Sequence, residues 1–339
     1  MVSYRKTKSK TFNILFTCIG RRVSLLNSFR EAAKNLKLDC RIFGTEKAVL
    51  SSALQLCDKK FIVNSVDHLH YIKQLLAIVK QNNVRLMVPT VDLDLQILAK
   101  NKERFSKIGC TVLVSEPDVV SICQDKRKTY EFLKENNFQT PLTMDAQIAL
   151  SKKSLKYPLF LKPWDGYASR GNAVVKNKRE LSFYSKKIPH CIVQEFIPGK
   201  EFTCDVYVDF DLQVRCVVPR NRIETRAGEV SKSKIIKNAE IMGQTALLVA
   251  KLGAGPGVIT VQLILTKDNK IKFIEINPRF GGGAPLSIKG GADFPKWILA
   301  QFTGRKRALK YNGFENNLVM LRYDAEVWLK EGIVRGTKK

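Results

Sequence analysis

The chain has 339 residues, 45% of them hydrophobic, and a formal net charge of +27. This length predicts two or three domains, and the apolar content excludes a disordered chain. No apolar run approaches the ~20 residues needed to span a bilayer, and no signal-peptide core follows the basic start "MVSYRKTKSK". We therefore expect a folded cytoplasmic protein with no membrane partner.

The basic residues are spread along the whole chain instead of forming one cluster. A net charge of +27 predicts attraction to phosphorylated small molecules and non-specific binding of polyanions at low salt. Specific nucleic-acid recognition is not expected, because no recognisable motif accompanies the charge. The eight cysteines form no C-x-x-C pair, and we interpret them as reduced core thiols. His68 and His70 have no third ligand nearby and predict no metal site.

The first third of the chain alternates predicted strands with predicted helices. The order is strand 12–20, helix 21–36, strand 39–46, helix 66–83, strand 84–90, helix 92–109 and strand 110–115. This alternation is typical of a small parallel sheet that carries helices on its faces.

Polar residues follow three of these predicted strands, at the edge where such sheets bind their ligands. The three ends carry Gly20-Arg21-Arg22, Gly44-Thr45-Glu46 and Thr90-Val91-Asp92. The first strand is not followed by the G-x-G-x-x-G pattern, which disfavours a nicotinamide dehydrogenase.

Residues 115–141 predict a helical crossover to a second unit. Ser115 is its expected cap, and Pro117 suits the first turn. From about Leu155 the predicted strands are short, are punctuated by Gly, Pro and Asp, and are joined by close turns. This pattern is typical of antiparallel sheet, and one helix at 233–253 interrupts it.

The most informative segment is the predicted hairpin "VITVQLIL-TKDNK-IKFIEINP" at 258–278. We predict a two-residue turn at Asp268 and Asn269, because both residue types tolerate positive φ. Lys267 then pairs with Lys270, and this register fixes every further pair along the hairpin. A four-residue loop gives the same register, whereas a three- or five-residue loop does not.

This register places Gln262 directly opposite Glu275, and strand alternation puts Asn277 on the same face. Oxygen donors with little total charge suit Mg²⁺, particularly when phosphate oxygens complete its shell, and Arg279 could face a phosphate in bidentate fashion. A solvent-exposed sheet face would show the same alternation. It would not explain the glycine-dense segment that follows, "RFGGGAPLSIKGGADF", which suggests close approach of the backbone to a ligand.

Five segments, in this order, resemble the ATP-grasp superfamily and, within it, the carbamoyl-phosphate-synthase-like branch. They are "NILFTCIGRRV", "QDKRKTYEFLKENNFQTP", "YPLFLKPWDGYASRG", "VQEFIPGKEFTCDV" and "VQLIL…FIEINPRFGGG". The resemblance implies a mixed α/β and α+β protein. It would contain a Rossmann-like pre-ATP-grasp domain at 1–117, a small lid subdomain at 118–190, and an antiparallel C-terminal subdomain at 191–339 that carries the metal and phosphate site.

The resemblance also implies a set of nucleotide contacts. These are Lys126 and Lys162 for the ATP phosphates, Ser169 and Gly171 in a covering loop, Glu195 with the backbone of Phe196 and Ile197 for adenine, and Glu201 for ribose. Two separated lysines suit a polyphosphate as point charges. The covering loop, "DGYASRG", is poorer in glycine than the family pattern.

For the metals, the resemblance implies that Gln262 and Glu275 hold a first Mg²⁺ and that Glu275 and Asn277 hold a second, with Mn²⁺ as a substitute. Gln at 262 resembles the carbamoyl-phosphate-synthase-like branch in particular. Arg279 would touch the transferred phosphate. Strand alternation places Arg220 and Arg222 on one face, where they suit contact with the γ-phosphate or an acyl phosphate. A solvated basic strand is the alternative.

The reaction implied by the family is phosphorylation of a small-molecule carboxylate by ATP, followed by displacement of phosphate by an amine. Arg21 and Arg22 could dock the anionic substrate, and Asp92 could hold the amine. Two alternatives stay open. One is a carboxylase-type or other phosphoryl-transfer enzyme with a non-amine acceptor, and the other is a basic nucleic-acid-binding protein with a degenerate nucleotide site. A homodimer is a further expectation.

Overall fold

The computed structural model describes residues 11–166, 171–226, 228–305 and 309–330. In chain order, its elements are β1 (Phe12–Thr17), α1 (Val23–Asn35), β2 (Cys40–Glu46), α2 (Ser52–Gln55), β3 (Lys59–Ile62), α3 (Tyr71–Gln81), β4 (Val84–Pro89), α4 (Leu95–Lys100), α5 (Lys102–Lys107), β5 (Thr111–Val112), α6 (Pro117–Gln124), α7 (Lys126–Glu135), β6 (Thr143–Asp145), α8 (Ala146–Ser151), β7 (Leu159–Pro163), β8 (Ala173–Val175), α9 (Lys178–Lys187), β9 (Cys191–Glu195), β10 (Gly199–Val208), β11 (Val214–Arg226), β12 (Glu229–Ile235), α10 (Ala239–Leu252), β13 (Gly257–Thr266), β14 (Ile271–Asn277), α11 (Ala284–Lys289), α12 (Phe294–Phe302) and β15 (Val319–Leu321). None of the described helices is long and apolar enough to cross a membrane.

The described residues divide into two compact units. The first contains those of 1–114, 293–309 and 324–339, and the second contains those of 115–292 and 310–323. The boundary near 114 lies close to the predicted one at 117. The return of 293–309 to the first unit was not predicted. Its helix α12 is strongly apolar and contacts α1, and the ring of Phe302 lies 5.4 Å from that of Phe12.

The first unit is built on a parallel sheet with the strand order β3-β2-β1-β4-β5 among the described residues. This confirms the predicted alternation of strands and helices. Strand β3 escaped prediction because its four residues, "KKFI", include two exposed lysines and give no apolar run. The predicted helix 92–109 is two short helices, α4 and α5, which meet at Asn101.

The second unit contains two antiparallel sheets among its described residues, with strand orders β6-β9-β7-β8 and β14-β13-β10-β11-β12-β15. The predicted crossover at 115–141 is also two helices, because Asp125 is extended between α6 and α7 and caps the second one. Pro117 begins α6 as expected. Ser115 does not cap α6, because Glu116 holds that position and the Ser115 hydroxyl accepts from the Gly255 N–H.

The β13–β14 hairpin has the predicted pairing of Gln262 with Glu275, but its loop differs from the predicted one. The Thr266 N–H donates to the Lys270 carbonyl, so the loop has three residues, and Asn269 has a φ of +59°. Such a loop alone would misplace Glu275 by one residue. A β-bulge between Gln262 and Leu263 restores the register, so that Gln262 does lie opposite Glu275 and Thr260 lies opposite Asn277.

The six-stranded sheet has one apolar face and one polar face. The apolar face belongs to a core that includes Phe202, Val206, Val261 and Phe273, and it packs against α6, α7 and α10. Residues directly opposite each other in a ladder share a face. Two cross-strand rows therefore lie on the polar face: Arg220–Thr203–Gln262–Glu275, and Val218–Asp205–Thr260–Asn277.

Candidate functional site

The predicted metal ligands lie together at one edge of the polar face. Gln262 is part-buried on β13, opposite the part-buried Glu275 on β14. Asn277 ends β14 and is buried, with only 6% of its surface exposed. The structure thus brings two amide groups and one carboxylate to neighbouring positions on one sheet face.

This donor set fits a hard cation only if further oxygen ligands are supplied. The described residues contain no group of three or more His, Cys, Asp or Glu side chains that could hold a metal by itself. A set with one carboxylate and two amides suits Mg²⁺ that retains phosphate oxygens, because Mg²⁺ is commonly bound through one or two carboxylates plus substrate phosphates. The residues present therefore fit a metal–nucleotide complex.

Arg279 follows the predicted metal ligands in the sequence and contacts one of them, Asn277. Its backbone N–H donates to the Asn277 carbonyl at 2.8 Å, and its Nη2 donates to Asn277 Oδ1 at 3.3 Å. Its own carbonyl accepts from Thr260 Oγ1 at 2.9 Å. The guanidinium is therefore held beside the candidate metal ligands, where it could contact a bound phosphate.

Two buried lysines bring positive charge to the same unit. Lys162 lies on β7 with only 4% of its surface exposed, and burial lowers its pKa to about 8. The Glu275 carboxylate acts in the opposite direction and the Lys126 ammonium in the same direction, so all three groups lie within electrostatic reach. Lys126 begins α7 and donates through Nζ to the Gly166 carbonyl at 2.5 Å.

The base of the predicted covering loop is held by local contacts. The Lys126 N–H donates to the Trp164 carbonyl, and the Arg127 guanidinium stacks on the Trp164 ring at 4.0 Å. Gly171 has a φ of +75° and packs near Pro163. Ser169, the other predicted phosphate contact here, lies outside the described residues.

The predicted adenine segment joins β9 to β10. Glu195 ends β9 with an exposed side chain, and its N–H donates to the Leu142 carbonyl at 2.8 Å. Phe196 is 39% exposed and Ile197 is half-buried. The contacts predicted for these three residues stay predictions, since their accessibility permits a ligand without identifying one.

Glu201 and Arg222 form an ion pair on the polar face, with 3.2 Å between Oε1 and Nη1. Arg222 also donates through Nη2 to the Gly228 carbonyl, while its Nε is buried without a hydrogen-bond partner in the described part of the chain. In the structure, Arg222 therefore contacts Glu201, the residue predicted to bind the ribose. Its predicted phosphate contact stays a prediction.

Arg220 differs from expectation. The strand pattern predicted a phosphate contact, yet the side chain is only 1% exposed and is held in bidentate fashion by Asp205. In this conformation it does not present its guanidinium to a ligand. Asp205 and Thr260 are the members of this polar network that sequence reasoning missed. Their alternation with apolar residues, two positions from Thr203 and Gln262, was the available signal.

The predicted substrate residues lie at the carboxyl edge of the parallel sheet in the first unit. Arg21 is exposed after β1, Arg22 donates to the Thr90 carbonyl at 3.5 Å, and Asp92 is part-exposed after β4. Strands β1 and β4 flank the point where the strand order reverses, which is where open α/β sheets bind ligands.

Asp94 at this edge is buried, although the sequence suggested only an ordinary helix start. It is 0% exposed and accepts from the Tyr71 hydroxyl at 3.2 Å. Burial raises the pKa of its carboxyl to about 6, and the hydrogen bonds that it accepts oppose this rise. No local spacing distinguished it from Asp92, because its burial depends on Tyr71 from a different helix.

Comparison with known proteins matches two segments of the chain to family models. Residues 123–283 match the model of the ATP-grasp domain, and residues 14–113 match the model of the PylC-like N-terminal domain.

Among curated proteins, the chain is similar to a carbamoyl-phosphate synthase of Methanobrevibacter smithii. The identity is 25% over 218 residues, which cover 59% of this chain and 58% of that protein. The chain therefore spans less than two thirds of that relative's length.

Among solved structures, a biotin carboxylase of Campylobacter jejuni has a TM-score of 0.71 at 16% identity, covering 91% of this chain and 74% of that one. An L-amino acid ligase of Bacillus licheniformis has a TM-score of 0.66 at 18% identity, covering 85% and 73%. These likenesses show the fold alone. Together with the family models, they confirm the predicted fold. Residues 123–283 therefore form an ATP-grasp domain preceded by a PylC-like N-terminal domain, and the chain is similar in sequence to carbamoyl-phosphate synthases.

Proposed function

We propose that this protein is a ligase that uses ATP and Mg²⁺ to activate a small-molecule carboxylate and join it to an amine. The observation that carries the proposal is the register of β13 and β14, which sets Gln262 opposite Glu275 and brings Asn277 and Arg279 beside them. The nearby buried Lys162 supplies a cation that interacts with Glu275.

In this proposal the chain's own residues bind and orient the reactants. Lys126 and Lys162 hold the phosphates, Glu201 holds the ribose, and Glu195 with the backbone of Phe196 and Ile197 holds adenine. Gln262, Glu275 and Asn277 would hold one or two Mg²⁺ ions, or Mn²⁺ in their place. The metal, when bound, neutralises phosphate charge and polarises the transferred group.

The transfer itself needs no covalent nucleophile from the protein. A substrate carboxylate oxygen attacks the γ-phosphorus, the bond to the β,γ-bridging oxygen breaks, and ADP leaves with an acyl phosphate formed. The amine then attacks the acyl carbon, and inorganic phosphate departs as the amine loses a proton. In this proposal Arg279, which is held beside Asn277, stabilises charge on the phosphoryl oxygens, so catalysis rests on positioning and electrostatics.

The residues proposed for substrate recognition belong to the first unit. We propose that Arg21 and Arg22 recognise the carboxylate substrate and that Asp92 recognises the amine, because all three follow strands at the ligand-binding edge of the parallel sheet. The name of the Bacillus licheniformis relative, an L-amino acid ligase, is in keeping with a carboxylate and an amine as the reactants.

The test is a phosphate-release screen of the purified chain with Mg-ATP against pools of carboxylates and amines. We expect ADP and phosphate only when both pools are present. Release of AMP and pyrophosphate would exclude the acyl-phosphate route, and turnover with bicarbonate alone would support a carboxylase-type enzyme instead.

The site assignment is tested with Glu275→Gln, which removes the one carboxylate among the proposed ligands. We expect loss of turnover by at least about 10²-fold with an unchanged fold, since electrostatic groups of this kind commonly contribute that much. The matched control is Glu240→Gln, an exposed position on α10. Equal activity of the two variants would contradict the assignment.

A further inference from the structure

A buried ion pair lies on the polar face next to the candidate site. Asp205 on β10 is 0% exposed and Arg220 on β11 is 1% exposed. Arg220 donates through Nε to Asp205 Oδ2 at 2.7 Å and through Nη2 to Oδ1 at 2.9 Å. This two-point contact fixes the plane of the guanidinium.

The pair also touches the glycine-rich loop that follows Arg279. A Cβ on Gly283 would overlap Arg220 Nη1, and a Cβ on Gly281 would lie 3.0 Å from Thr260 Oγ1 and 3.4 Å from Asp205 Oδ1. These two glycines therefore let the backbone lie directly on the buried pair and on Thr260.

Two hydroxyl groups connect the sheet to the start of this loop and to α11, the helix that follows it. Ser287 on α11 donates to Asp205 Oδ2 at 2.6 Å, and Thr260 donates to the Arg279 carbonyl at 2.9 Å. Thr260 stands between Asp205 and Asn277 in one cross-strand row. The contacts thus run from the ion pair, through Thr260 and the loop, to Arg279 and Asn277.

The hydrogen bonding of the Arg220 guanidinium is incomplete, which argues against a purely stabilising role for the ion pair. Its Nη1 is buried without a hydrogen-bond partner among the described residues. A buried ion pair can often be replaced by apolar side chains of similar volume without loss of stability. What an apolar pair cannot reproduce is the fixed height and orientation of a guanidinium beneath Gly283.

We infer that Asp205 and Arg220 form a positioning pair, which sets the Gly281–Gly283 loop and thereby the placement of Arg279 and Asn277 toward the nucleotide phosphates. The inference rests on the proposed function. It assigns Arg220 the role of positioning other site residues instead of contacting a phosphate. A displacement of about 1 Å in such a group can reduce the rate about 10²-fold, so modest movement of the loop has a large effect.

The test is the double variant Asp205→Leu/Arg220→Met of the full chain, which removes both charges together. Binding of Mg-ATP and of adenosine is measured by titration calorimetry, and unfolding is followed in urea. We expect wild-type stability and adenosine affinity, but Mg-ATP binding weakened about tenfold or more. A merely structural pair would leave Mg-ATP affinity unchanged once the fold is retained.

The chain offers a control ion pair at the turn end of the same hairpin. Asp209 and Arg215 form an ion pair near the opposite end of the β10–β11 hairpin, with 2.5 Å between Oδ2 and Nε. The variant Asp209→Leu/Arg215→Met should lose stability, because Asp209 also accepts from two backbone N–H groups, yet keep Mg-ATP affinity. Equal losses of Mg-ATP affinity in both double variants would overturn the inference.

Gly283→Ala tests the same placement without altering any charge, and it serves if the double variant fails to fold. We expect it to weaken Mg-ATP binding in the wild-type background. Its effect should be smaller in the Arg220→Met background, because the Nη1 atom that the new methyl group would overlap is then absent. An unchanged Mg-ATP affinity in Gly283→Ala would overturn the inference. If the wild-type chain itself binds no Mg-ATP, the proposed function fails and this inference fails with it.

Discussion

At the residue scale, the protonation of Lys162 predicts that nucleotide binding at the candidate site depends on pH. Its pKa is lowered to about 8, mainly by burial, with Glu275 opposing that shift. Bound phosphates favour the charged ammonium and would raise this pKa. Above about pH 8, nucleotide binding must therefore be accompanied by proton uptake at Lys162, so the affinity for Mg-ATP should fall as pH rises.

We expect the dissociation constant of Mg-ATP to increase by up to about tenfold per pH unit above about pH 8. Titration calorimetry between about pH 7 and about pH 9.5, in buffers of differing ionisation enthalpy, measures both the affinity and the proton uptake. Lys162→Arg is the matched variant, because a guanidinium stays protonated across this range. If Lys162→Arg kept the full pH dependence, another group would be responsible.

Asp94 makes a second pH-dependent prediction, in the first unit. Its folded-state pKa of about 6 lies above the ordinary value of about 4, so the native state binds its proton more tightly than the unfolded state does. The stabilising contribution is complete below about pH 4 and is lost as pH rises through about 6.

Asp94→Asn should therefore flatten the decline in the free energy of unfolding between about pH 4 and about pH 7, measured by urea denaturation. Tyr71→Phe removes a hydrogen bond that favours the carboxylate, and it should shift the decline to higher pH. A decline that is unchanged in both variants would show that Asp94 does not titrate in this range.

At the element scale, two glycines that look alike in sequence have opposite roles. Gly199 begins β10, and a Cβ there would overlap Ile264 Cγ2 and lie 2.5 Å from the Leu265 carbonyl oxygen. Gly243 is exposed within α10, and a Cβ there would meet nothing within 4 Å.

We expect Gly199→Ala to lower the free energy of unfolding by about 1–3 kcal/mol, because a backbone neighbour cannot move aside cheaply. Gly243→Ala should raise it by about 0.5–1 kcal/mol, since alanine is the better helix former. Urea unfolding of the two single variants measures both effects, and a loss of stability in Gly243→Ala would contradict the open surroundings of that Cβ.

The β13–β14 hairpin shows how far element-scale prediction reached. The polar alternation correctly indicated that Glu275 and Asn277 share one sheet face, and Gln262 does lie opposite Glu275, whereas Arg279 lies beyond the end of β14. The predicted two-residue turn was wrong, and so was the exclusion of a three-residue loop. The compensating bulge depends on how β14 packs across the sheet, which no local turn signal encodes.

At the scale of the whole molecule, the net charge of +27 predicts behaviour that is independent of the nucleotide site. We expect non-specific binding to random-sequence duplex DNA at about 50 mM salt that weakens by orders of magnitude by about 200 mM, as counterion release requires. A gel-shift titration measures this, and Glu275→Gln should behave as the wild type does.

Sequence-selective or salt-insensitive DNA binding, combined with absence of ATP turnover, would instead favour a nucleic-acid-binding protein.

The oligomeric state of the chain is also a property of the whole molecule. The homodimer stays a prediction that light scattering of the purified chain would test.

The sequence by itself indicated the ATP-grasp domain and the alternating first domain, and it predicted the residues of the candidate metal site, whose roles stay predictions. These depend on local signals, namely the periodicity of strands and helices and the order and spacing of the motif segments. Such signals can be recognised without knowing any tertiary contact. Only the tertiary structure decided that α12 returns to the first unit, that Asp94 is buried beside Tyr71, and that Arg220 pairs with Asp205. Each of these depends on which distant side chain occupies the space beside a residue, and that is a property of the packed sheet and helices.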